Sequence, residues 1–183
     1  MYVGKKTSYK TTPSALTSQD YRAIEGGVFI DSSKVPLIDQ KKILRRNEML
    51  GKITASGEYR AVGYTKVTAA GTVNTVKLDN VRWAVVNDVI TVKDQTGRNV
   101  TAIDYANNTI TFDGAAVAVV IGDVVKLEDG AEKAELFLPD EVDVTEGDQL
   151  AGGYDMCRLN EARMPIIVHD QIKTDVSPLI KFE

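Results

Sequence analysis

Residues 49–62 read MLGKITASGEYRAV, Met49 to Val62. Either side of the small-residue stretch Ala55-Ser56-Gly57, apolar and polar positions alternate as they do in the two arms of a hairpin. Leu50, Ile53, Tyr59 and Val62 are its apolar positions. Gly57 is the residue expected to hold positive φ, which glycine adopts without a steric cost. A pair of strands is marginal by itself in water, so this hairpin must be completed by residues from elsewhere in the chain.

Upstream, Val35 to Ile43 contains Pro36 and the Lys41-Lys42 pair. It reads as an extended approach to the hairpin, because proline fixes its own φ and pushes the preceding residue away from helix. Residues 1–34 are rich in Thr, Ser and Lys, and their apolar positions (Tyr2, Val3, Tyr9, Tyr21 and Val28-Phe29-Ile30) follow no single period. They read as an extended N-terminal arm, either a floppy terminus or a segment that orders only on a partner surface, with the tyrosines and the apolar triplet as anchors and the lysines as attraction. One short helix is expected from Ser18 to Glu25, with Thr17 as its N-cap and Gly26-Gly27 as its stop.

Downstream, residues 66–133 hold the densest β signal: TVNTVKL, VITV, VTAID, TITF, AVAVV and VVKL, divided by turn pairs such as Thr96-Gly97, Asn107-Asn108 and Asp113-Gly114. Short strands at this spacing predict a small barrel or sandwich. An internal echo runs through it. Ala84 to Val92 and Ala118 to Leu127 each pass from an apolar run through a turn ending in Asp into a strand, so Asp88 and Asp123 are expected to fix turns by side chain to backbone bonds. After Ala134, Leu136-Phe137-Leu138 reads as a strand ended by Pro139, and Val142 and Val144 alternate with carboxylates. Met164 to Val168 reads as a further strand, and Val176, Leu179, Ile180 and Phe182 make a tail apolar enough to dock. The predicted fold is all-β with little helix: a β domain of residues 35–65 and 134–183, interrupted by an inserted barrel of residues 66–133 and preceded by an arm of residues 1–34.

A net charge of −4 and a pI near 5.1 argue against a dedicated nucleic-acid binder. The charge is uneven: Lys5, Lys6, Lys10, Lys41, Lys42, Arg45 and Arg46 make the first quarter basic, and Glu128 to Asp148 is acidic. With Cys157 as the single cysteine no intrachain disulfide is possible, which fits a reducing compartment. No stretch approaches the roughly 20 apolar residues of a membrane-spanning helix, and the basic N-terminus has no apolar run behind it. The expectation is a protein neither exported by a standard signal nor held in a membrane.

Chemistry is sparse. Cys157 and His169, the single cysteine and the single histidine, would have to meet in space with an orienting group to form a nucleophilic pair. The expected alternative is a buried packing cysteine and an unrelated histidine. Zinc-ligand spacing, phosphate loops and dinucleotide fingerprints are missing. The acids from Asp140 to Asp148 suit a hard cation in type but match no EF-hand spacing. Carboxylates are plentiful enough for a glycosidase, yet Trp83 and few other aromatics are poor material for a sugar cleft. No enzyme activity, cofactor or metal is predicted.

The hairpin Met49 to Val62, with its Leu-Gly-Lys-Ile-Thr run leading through a small turn to Tyr59, resembles the opening hairpin of the lambda-type phage head decoration proteins. Leu136 to Met164 (LFLPDEVDVTEGDQLAGGYDMCRLNEARM) resembles the remainder of that domain. The likeness covers Ile43 to Tyr64 and Ala134 to Pro165, under a third of the chain. The chain departs from the family in its arm, its insert and Met156-Cys157. The resemblance implies a β-tulip-like domain on the outer surface of a virion, made in the host cytoplasm. Its implied partners are the major capsid protein, whose neighbouring subunits it would clasp, and copies of itself in a trimer; no nucleic acid and no membrane. Candidate capsid-binding residues are Tyr2, Tyr9, Tyr21, Val28, Phe29, Ile30, Lys41, Lys42, Arg45 and Arg46. The alternative is a head fibre or carbohydrate-binding module whose working end is the insert, which would need exposed aromatics among Trp83, Tyr105 and Phe112.

Overall fold

The computed structural model describes residues 14–17, 21–176 and 178–183. Before the insert run β1 (Arg22–Ala23), β2 (Val28–Ile30), β3 (Leu37–Ile38), β4 (Lys41–Leu44), β5 (Met49–Lys52) and β6 (Tyr59–Ala61). Next come β7 (Tyr64–Lys66), β8 (Gly71–Val73), β9 (Thr75–Lys77), β10 (Val89–Val92), β11 (Gln95–Asp104), β12 (Thr109–Phe112), β13 (Val117–Val119) and β14 (Val124–Leu127). The chain ends with β15 (Leu136–Phe137), β16 (Val142–Asp143), β17 (Gln149–Ala151), β18 (Tyr154–Leu159), α1 (Asp170–Asp175) and β19 (Ile180–Phe182). The fold is all-β.

The hairpin of β5 and β6 forms with Leu50 opposite Ala61 and Lys52 opposite Tyr59. At its tip Gly57 has φ 79° and its amide donates to the Ile53 carbonyl at 2.8 Å. The hairpin is completed by β15, where Leu136 faces Leu50 and Phe137 faces Met49 across 86 residues of sequence separation or more. The full sheet runs β1-β18-β15-β5-β6-β2-β17, with β19 added parallel to β18. Alternation divides its side chains between two cores. Leu50, Ala61 and Leu136 join a cluster shared with the barrel, and Met49, Val62 and Phe137 join one that includes Ile172 of α1 and Ile180 of β19. Gly51 lies where the chain at residues 131–133 crosses: a Cβ there would meet the Ala131 carbonyl oxygen at 2.4 Å.

Residues 64–127 build a second sheet in the order β7-β14-β10-β11-β12-β9. Its ends meet, since Val67 bridges Leu78, the Asp79 amide donates to the Lys66 carbonyl and the Thr68 amide to the Lys77 carbonyl. The sheet therefore closes on itself, which leaves it no long unpaired edge. Ile90, Val92, Val100, Ile110, Phe112, Val125 and Leu127 fill it. The hairpin between β10 and β11 turns at Lys93-Asp94, not at Thr96-Gly97; Gly97 lies inside β11 with φ 69°.

Three expectations need correction. Described parts of the supposed arm are tied to the large sheet: Leu16 bridges Leu159, Arg22 and Ala23 pair with β18, and β2 lies between β6 and β17. Val28 and Ile30 are buried in the main core rather than offered to a partner. Arg22–Ala23 is a strand rather than helix, because the free edge of β18 satisfies its backbone groups and tertiary pairing overrides a weak local preference. Residues 164–168 form no strand, and α1 follows instead.

Candidate functional site

The candidate contact residues separate into groups with different surroundings. Tyr2 and Tyr9 lie outside the described residues. Phe29 is 58% exposed and lies opposite Leu150, itself 57% exposed, so the outermost strand pair of the large sheet presents two apolar side chains together. Beyond Leu150, the other edge of β17 is unpaired among the described residues, where its one sheet partner is β2. At the other end of the sheet Tyr21 stacks on Tyr154 with ring centroids 4.6 Å apart, and the Arg22 guanidinium grips Asp155 through both carboxylate oxygens at 2.8 and 2.6 Å.

The cations before the hairpin are largely engaged within the chain. The Lys42 ammonium donates to the Ser32 carbonyl at 2.9 Å, Arg45 pairs with Glu48 at 3.1 Å, and Arg46 donates to the Pro139 carbonyl at 2.9 Å. Lys41 is exposed on β4. These residues do not make one free basic face.

Where the barrel meets the large sheet, a buried ion-pair network is set into the shared apolar core. Arg60 of β6, with its side chain 0% exposed, donates to the two oxygens of Asp88 at 2.9 and 2.5 Å, to Asp129 at 2.9 Å and to the Trp83 carbonyl at 2.7 Å. Lys34 reaches Asp88 from the other side at 3.0 Å. Burial would raise the Asp88 carboxyl, but the bonds and charge of Arg60 outweigh it and hold it below the usual carboxylate range. Asp88 also accepts from the Val85 amide at 2.9 Å, and Asp123 from the Val120 amide at 2.8 Å, so the echoed turns are built alike, with Asn87 and Gly122 at positive φ. The turn role was legible in the sequence; the ion pair was not, because Arg60 stands 28 residues away.

A second polar link joins the barrel to the C-terminal segment. His169 Nε2 lies 2.6 Å from Asp79 Oδ2, and the Thr65 hydroxyl donates to the other oxygen. Burial would raise this carboxyl too, and the His169 and Thr65 hydrogen bonds hold it low. Cys157 is elsewhere, buried in the core beneath α1, where burial pushes its thiol up to about 12. A thiol so protonated is a poor nucleophile, and His169 is committed to Asp79. Among the described residues no three His, Cys, Asp or Glu side chains gather as a metal site. Of the acids of 140–148, Asp143 closes a local turn by accepting from the Thr145 amide, Asp148 accepts from the Ser32 amide across the chain, and Asp140 lies 4.0 Å from Arg46.

Beside the Asp79 link lies an open groove of about 620 Å³. Arg45, Asp79, Asn80, Arg82, Asn108 and Glu161 line it together with the mostly apolar run Met164, Pro165, Ile166 and Ile167. Its position follows from the irregular 164–168 segment, which crosses the barrel near Asp79 instead of continuing the sheet. Compared with protein-family models and with curated proteins, the chain matches none.

Proposed function

We propose that this chain is a structural capsid decoration protein that binds the outside of a phage head and clasps neighbouring major capsid protein subunits. The observation that carries the reading is the adjacency of β5 and β15. The two stretches that resemble the lambda-type decoration domain, separated by the barrel in sequence, are neighbours in one sheet, as a single interrupted domain requires. The edge of β17, unpaired among the described residues and flanked by Phe29 and Leu150, supplies a surface on which an extended segment of a shell subunit could add a strand, with main-chain hydrogen bonds giving affinity and the apolar pair giving specificity.

The carbohydrate-binding alternative is less well supported. Trp83 and Phe112 are buried inside the barrel, and Tyr105 is half-buried with its hydroxyl donating to the Ala84 carbonyl at 2.9 Å. None offers the open aromatic platform on which a sugar ring stacks.

The test is co-sedimentation with capsids of the phage that carries this chain. The expected result is saturable binding to expanded heads and little to free capsid subunits, weakened by Phe29→Ser and Leu150→Ser. Absence of the wild-type chain from the capsid fraction at saturating concentration would overturn the reading.

A further inference from the structure

The groove beside Asp79 contains charges of both signs, and their pairing decides what it can hold. Its acids are occupied: Asp79 by His169 and Thr65, and Glu161 by the Lys173 ammonium at 2.6 Å. The guanidinium of Arg82, in contrast, makes no hydrogen bond or ion pair among the described residues, although its backbone amide is held by the Asn80 side chain at 3.1 Å. Arg45 binds Glu48 through one terminal nitrogen, and its Nε is buried without a hydrogen-bond partner. Burial and then the like charge of Arg45 press the Arg82 guanidinium downward from its ordinary value. Glu48 and Asp39 act on Arg82 through their charge without a hydrogen bond to its guanidinium among the described residues, so donors of Arg82 and Arg45 stay unused side by side, an arrangement that a hydrogen-bonded carboxylate would relieve.

The rest of the wall narrows the ligand. The side-chain amides of Asn80 and Asn108 offer groups for a peptide backbone, and Met164, Pro165, Ile166 and the 61%-exposed Ile167 form an apolar bank in the same groove. A bare phosphate would leave that bank in water. A nucleic acid would meet a chain with net charge −4, whose repulsion opposes association. A segment that presents a carboxylate to the arginines and an aliphatic side chain to the bank satisfies both. We propose that this groove is a binding site for a short acidic peptide segment of a protein partner, with Arg82 and Arg45 receiving a Glu or Asp carboxylate and residues 164–167 an adjacent aliphatic side chain. The inference stands on the groove alone and does not require the capsid reading.

The probe is an acetylated, amidated hexapeptide of alternating glutamate and leucine, titrated into the full-length chain and followed by NMR at the Asn80 and Asn108 side-chain amides and the Met164 methyl. Saturable shifts are expected, with affinity falling at least about tenfold in Arg82→Gln, the scale of one lost charge-assisted hydrogen bond. Arg82→Lys should recover part of that loss, and Ile167→Ser should weaken binding without changing its salt dependence. The same peptide with glutamine for glutamate should not saturate. Any of three results overturns the proposal: no saturable shift in the wild-type chain, equal affinity in Arg82→Gln with an unchanged fold, or tighter binding of inorganic phosphate than of the peptide, which would mark a small-anion site.

Discussion

Replacing Arg60 by methionine removes the buried cation that joins the barrel to the large sheet. Asp88, with its side chain 1% exposed, would then lose two hydrogen bonds from the guanidinium and keep Lys34 and the Val85 amide. Breaking a buried pair from one side costs about 3–5 kcal/mol, because the remaining charge is left desolvated. The surviving Lys34 contact puts this case at the lower end, about 3 kcal/mol. In a chain of this size that corresponds to a fall in Tm of roughly 6–12 °C. The unpartnered Nε of Arg60 means that the native pair is not perfectly compensated either, so Arg60→Met with Asp88→Asn should cost at least about 1 kcal/mol less than the two single changes summed. Asparagine keeps an acceptor for the Val85 amide, which leaves the turn intact. Trp83 is the sole tryptophan, is 1% exposed, and gives its carbonyl to Arg60, so its fluorescence in urea reports on this junction directly. Far-UV circular dichroism on the same samples checks that sheet and junction unfold together. A loss below about 1 kcal/mol in Arg60→Met, or additivity within about 0.5 kcal/mol in the cycle, would refute the view that this pair latches the barrel to the sheet.

Gly57→Val should destabilise by about 1 kcal/mol or more through its φ of 79° alone, since the nearest atom to a new Cβ is the flexible Lys52 Cε at 3.7 Å. Gly51→Ala should cost more, because backbone at Ala131 would have to move; chemical denaturation ranks the two, and the reverse order would contradict the crossing described. Deleting residues 1–30 should unfold or aggregate the protein, since it removes β2 with buried Val28 and Ile30, each worth about 1.5–3 kcal/mol of burial, and leaves β17 without its partner; a soluble truncated chain with an unchanged Tm would be the contrary result. Asp79 and Asp88 both have folded-state pKa values below the ordinary 3.8, so their stabilisation is present above that pH and is lost as the pH falls through their depressed values. Stability should therefore drop below about pH 4, and Asp79→Asn should flatten that limb in urea titrations at stepped pH; an identical acid limb in the variant would show that Asp79 is not responsible.

What the sequence determined by itself was local. Alternation placed the strands of the barrel, a glycine after two small residues placed the turn at Gly57, and the repeated run into Asp88 and Asp123 placed two turns closed by side chains. Each depends on residues within a few positions of one another, where backbone sterics and short hydrogen bonds decide. Pairing across the chain was decided by tertiary structure. Val28-Phe29-Ile30 has too few residues to show a period, and only its position between β6 and β17 sends Val28 and Ile30 inward and Phe29 outward. Arg45 read as one of a run of surface cations and Arg82 carried no sequence signal, yet the fold brings them to one groove and ties the neighbouring Asp79 to His169 across 90 residues. Charges on distant segments have no sequence pattern that says which will meet. The closed barrel and the returning strand β15 set those distances, and with them which carboxylates are satisfied and which guanidinium makes no hydrogen bond among the described residues.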